Sequence, residues 1–140
     1  MTLRSDLCVL ALCATAMAAP ALAAEAPERE LQMLGRCAVA SSVYRSLLPP
    51  ATSPVVPTEA DLALYERMKT ADPVLRARAD RVAGQVPQEK RDAIAAEIRS
   101  QFQAQMAPKD GPRKTPREAL DLYAPILEAC IVRADMTPAD

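Results

Sequence analysis

Four cysteines, at positions 8, 13, 37 and 130, carry the most explicit chemistry in this chain. Two thiols can form a structural disulfide, act as a redox couple, or stay buried and free. Cys37 and Cys130 lie far apart and lack the Cys-x-x-Cys arrangement that lowers a thiol pKa, which argues against a redox couple. A structural Cys37–Cys130 disulfide is the expected chemistry. Cys8 and Cys13 sit in an apolar N-terminal run that processing would remove.

Other chemistries are limited by missing residues. The chain has no histidine, which excludes Ser-His-Asp and Cys-His nucleophile pairs, His-ligated zinc and His-ligated haem. Its three glycines, Gly35, Gly84 and Gly111, are too scattered for a phosphate-binding loop. The acid pairs Glu28/Glu30 and Asp110/Glu118 lie in polar stretches or at helix starts, where acids serve the helix dipole. No catalytic residue is assigned, no enzyme is expected, and no cofactor or metal is implied.

Two weaker constellations stand out. Arg76, Arg78 and Arg81, with Arg91 and Arg99 further on, could form a basic interaction face for an anionic partner. Asp80 and Asp92 interleave with them, and Arg76–Asp80 has helical ion-pair spacing, which favours a solvated face. Met33, Met68 and Met106 could offer soft donors to copper, but each stands alone in an apolar stripe and reads as core.

The N-terminus has the three parts of a secretory signal. Arg4, partly offset by Asp6, precedes an apolar run from Leu7 to Ala19 and a small-residue segment, PALAAEA. Ala21 and Ala23 meet the demand for small side chains at the cleavage site, so cleavage is expected after Ala23. The rival is an uncleaved anchor, since Leu7 to Ala24 is borderline for a hydrocarbon core ~30 Å thick. Pro20 and the dominance of alanine favour removal, with no stable membrane insertion afterwards. The chain divides into a signal peptide, 1–23, and one domain, 24–140, located in the periplasm or secreted.

The chain carries 17 basic and 18 acidic side chains, a net charge of −1. The signal removes one of each, so the domain stays near neutral and no nucleic acid is expected as partner. The domain is rich in Ala, Leu, Arg, Glu and Gln and poor in strand-forming residues. The fold class is therefore all-α, a small antiparallel bundle of about four helices.

The first helix is expected over about 28–48, with Met33, Cys37, Ala40, Tyr44 and Leu47 on one stripe, ended by Pro49-Pro50. The second spans 58–83, capped by Thr58 with Asp61 three residues on and stopped by Gly84. Asp72-Pro73 resembles a helix start, so this helix is expected to kink or break near 72. The third covers 87–107, burying Ile94, Ile98 and Phe102, with Ala95 and Met106 beside them. The fourth covers 115–135, where Thr115, Pro116 and Glu118 form a strong start signal. Pro125 should kink it.

Cys37 and Cys130 fall on the inner stripes of the first and last helices, which are antiparallel neighbours in an up-down-up-down bundle. The functional expectation is an exported, non-enzymatic protein of the bacterial cell envelope that binds an unidentified envelope protein or peptide. The alternative is a carrier holding a small apolar ligand or lipid in a cavity between helices.

Overall fold

The computed structural model describes residues 19–48 and 53–136, with side chains from Ala26 onward. Residues 1–18, most of the expected signal peptide, lie outside the described residues, as do 49–52 and 137–140. The described residues form four helices and no strand: α1 Ala19–Leu47, α2 Glu59–Ala83, α3 Gln88–Met106 and α4 Pro116–Asp135. The protein is an all-α bundle.

Pairs of contacting residues fix the helix directions. Cys37 meets Cys130 and Tyr44 meets Leu120, so α1 and α4 run antiparallel. Arg45 pairs with Asp72 and Glu30 with Arg78, so α2 also runs against α1. Glu28 faces Lys90 and Gly35 faces Ile98, so α3 runs parallel to α1. The order is up-down-up-down.

The packing is not a closed ring of four. Helices α1, α2 and α4 pack on one another, whereas α3 packs chiefly on α1. Gly35 and Cys37 are two residues apart, which places them ~200° apart around α1. One face of α1 therefore turns to α4 while the opposite face receives α3. The core between α1, α2 and α4 is filled by Tyr44, Met68, Leu120, Leu127 and Cys37, all fully buried. Each large apolar side chain buried in this way contributes roughly 1.5–3 kcal/mol.

Three expectations need correction and a fourth needs refinement. Helix α1 starts at Ala19 rather than near Glu28. The alanines on both sides of the expected cleavage point favour helix strongly, and Pro27 is carried inside it. Helix α2 does not break at Asp72-Pro73 and runs unbroken to Ala83. The Asp72 carboxylate is buried between Arg45 and Arg76, so it is not free to cap a new helix. Pro73 is exposed, so water can serve the carbonyl that its missing N–H leaves unbonded.

Helix α2 stops at Gly84 as expected, but the φ of −62° and ψ of −18° there continue the right-handed turn instead of making a left-handed cap. The chain leaves the helix over the next residues by burying Val86 just before Pro87, which disfavours helical geometry at the preceding residue. Finally, α3 has no fully buried residue. Ile94, Ile98, Phe102 and Met106 are half-buried and Ala95 is exposed, because α3 lies across one side of α1 instead of between two helices.

Candidate interaction groove

The scaffold of the site is set by two helix starts. Thr58 accepts the Asp61 N–H at 3.1 Å, and Asp61 accepts the Thr58 N–H at 2.8 Å, a complete capping box on α2. Thr115 and Glu118 repeat it on α4 at 3.2 and 2.7 Å. The Thr115 N–H holds the Glu118 carboxyl below its ordinary pKa. Both boxes fix where their helices begin, and hence the register of everything after them.

The two starts are joined. Arg117 donates two hydrogen bonds to the Asp61 carboxylate, at 2.7 and 2.9 Å, and a third to Asp121 at 3.0 Å. Arg117 holds the buried Asp61 carboxyl well below the usual carboxylate range. Tyr44, fully buried beside this pair, donates to the Leu120 carbonyl at 3.4 Å. Burial, and secondly the Asp61 charge, push its phenol up to about 12.

The Cys37–Cys130 disulfide, with a Cα–Cα distance of 5.8 Å, ties α1 to α4 on the same central layer. Met33 lies against it, its sulfur 3.9 Å from the Cys37 sulfur. With α1 and α4 locked, the outer furrow between them is a fixed surface, and α3 lies along its α1 side. Gly35 leaves room for the Ile98 Cδ1 methyl, which a Cβ at that position would displace.

The result is a groove of about 320 Å³ between α1, α3 and α4. Val39, Ile98, Phe102 and Ile126 supply its apolar surface, and Arg36, Gln101, Gln105 and Tyr123 its polar groups. The Phe102 and Tyr123 rings meet at 6.0 Å with their planes tilted by 46°. The Tyr123 hydroxyl donates to Gln105 at 3.0 Å, and burial raises its pKa. Arg36 donates to the Gln101 carbonyl oxygen at 3.3 Å, while the Gln101 amide nitrogen donates to Glu97 at 3.0 Å. A second cleft, of about 300 Å³, lies between α2 and α4 around Ala71, Val74 and Ile131.

The three arginines of the basic stretch all lie on α2. Arg76 pairs with Asp72 at 3.0 Å and Arg78 with Glu30 of α1. At ~100° per residue, Arg76 and Arg78 project on nearly opposite sides of the helix. Arg76 and Arg78 therefore do not share a face, and each is paired within the fold. Met33, Met68 and Met106 lie on three different helices, Met68 fully buried in the core. Among the described residues no cluster of His, Cys, Asp or Glu could hold a metal ion. No described helix is long and apolar enough to cross a membrane.

Sequence reasoning missed Arg36, Gln101 and Gln105, because polar residues beside an apolar stripe look the same whether they face water or a groove. It also missed the Arg117–Asp61 pair, for which a signal existed. A cation in the first turn of a helix opposes the helix dipole and calls for an acid nearby. Comparison with family models, curated protein sequences and solved structures returns no match to this chain or its fold.

Proposed function

We propose that this chain is the precursor of an exported, non-enzymatic protein of the bacterial cell envelope, acting by binding another protein or peptide. The observation that carries the reading is α3, a helix with an apolar stripe and no fully buried residue. Ile98 and Phe102 use only part of their surface against α1 and α4, and the rest lines an open groove. Partly covered apolar surface of this kind, rimmed by polar groups, is characteristic of binding sites.

Export is supported by the N-terminal signal pattern and by a disulfide that persists in oxidising compartments. The carrier alternative draws less support. The space between α1, α2 and α4 is filled by Tyr44, Met68, Leu120 and Leu127, and the groove opens to solvent.

Photo-crosslinking side chains placed at Gln101 and Gln105, and at exposed Glu66 on α2 as control, test the binding role in intact cells. A discrete adduct from the groove positions and none from Glu66 is expected. The absence of any adduct from all three positions would sink the interaction role. N-terminal sequencing of the chain from envelope fractions should start at or near Ala24; an unprocessed chain confined to the cytoplasm would sink export.

A further inference from the structure

We propose that the α1/α3/α4 groove is a receptor for the free C-terminal carboxylate of a peptide that ends in an apolar residue. This rests on the interaction reading and names the partner's chemistry. Of the residues lining the groove, only Arg36 is charged; Glu97, just outside the lining, bonds Gln101 and not Arg36. The contact that the structure gives the Arg36 guanidinium is a neutral one, the Gln101 carbonyl oxygen at 3.3 Å, long for a hydrogen bond from a cation. A carboxylate in its place would make a shorter, charge-assisted and bidentate bond.

The neighbours are suited to such an exchange. Glu97 holds the Gln101 amide nitrogen at 3.0 Å, which turns its oxygen toward Arg36 and leaves that contact replaceable. Gln105 uses its carbonyl oxygen on the Tyr123 hydroxyl, so its amide nitrogen remains as a second donor at the groove. Val39, Ile98, Phe102 and Ile126 offer the apolar surface for a terminal side chain. At about 320 Å³ the groove lies at the small end of ligand clefts, roughly 300–1,000 Å³, which fits a chain terminus better than a long segment.

The test is a titration of the disulfide-bonded protein followed through its backbone-amide NMR resonances. Three probes are used: acetyl-Ala-Ala-Leu as the free acid, the same tripeptide as its C-terminal amide, and octanoate. The free acid should move the resonances of Arg36, Val39, Gln101 and Gln105 and saturate. The amide should bind about tenfold or more weaker, the expected loss for a charge-assisted bond. Arg36→Gln, an exposed position that should melt like the wild type, should lose the same factor for the acid and nothing for the amide.

Equal binding of acid and amide, or no groove response to the acid, overturns the proposal. Octanoate binding as tightly as the peptide acid also overturns it, because any apolar carboxylate would then suffice. If the groove still crosslinks a partner in cells while the acid fails to bind, the carboxylate assignment falls and the interaction role stands.

Discussion

Arg117, in the first turn of α4, grips the Asp61 carboxylate, in the first turn of α2, with two nitrogens at 2.7 and 2.9 Å. Asp61 thereby does two jobs, capping its own helix through Thr58 and fixing the neighbouring helix in parallel register. Removing one partner from a buried pair costs about 3–5 kcal/mol. The Arg117 side chain is 35% exposed, so water moderates that cost, and Arg117→Met is expected to lose about 2–3 kcal/mol.

The same pair makes stability sensitive to acid. The folded Asp61 pKa lies below its unfolded value, so its contribution is complete above about pH 4 and drains away as the pH falls further. Urea midpoints measured between pH 5 and pH 2 should fall steeply in the wild type and less steeply in Arg117→Met. Parallel slopes would show that another carboxylate governs the acid limb.

The disulfide closes a loop between residues 93 apart in sequence. In the chain-entropy model such a bond stabilises by roughly 4–5 kcal/mol. Reduction, or the double variant Cys37→Ser/Cys130→Ser, should therefore lower the melting temperature by roughly 15 °C or more. Identical melts with and without reductant would refute its role as a staple.

Helix α3 should be the least protected part of the fold. Its amides are expected to exchange with deuterium well before those of α1, α2 and α4, because no core side chain must leave its place for it to open. Uniform protection across all four helices would mean that α3 is held by more than its half-buried stripe.

Pro73 sits inside α2 and exposed, its ring contributing nothing to the core. Pro73→Ala restores a hydrogen bond to the Lys69 carbonyl and removes the ring's clash with the preceding turn. The variant should be more stable by about 1–3 kcal/mol, seen as a higher urea midpoint at unchanged slope. A loss of stability would show that the proline sets a bend needed to place Asp72 between Arg45 and Arg76.

The sequence by itself determined the helical class, the Thr58 and Thr115 capping boxes and the Cys37–Cys130 pairing. These depend on local rules: helix propensity, residues three apart in one turn, and a stripe that puts each cysteine on the inward side of its helix. Tertiary structure decided the rest. It carried α2 through Pro73, because Asp72 met two arginines and was lost as a cap. It placed α3 on the outside of α1, where Gly35 leaves room for Ile98, and so turned an expected buried face into one wall of a groove. Both outcomes rest on which helix lies beside which, and a one-dimensional pattern records the stripe of each helix but not the partner that covers it.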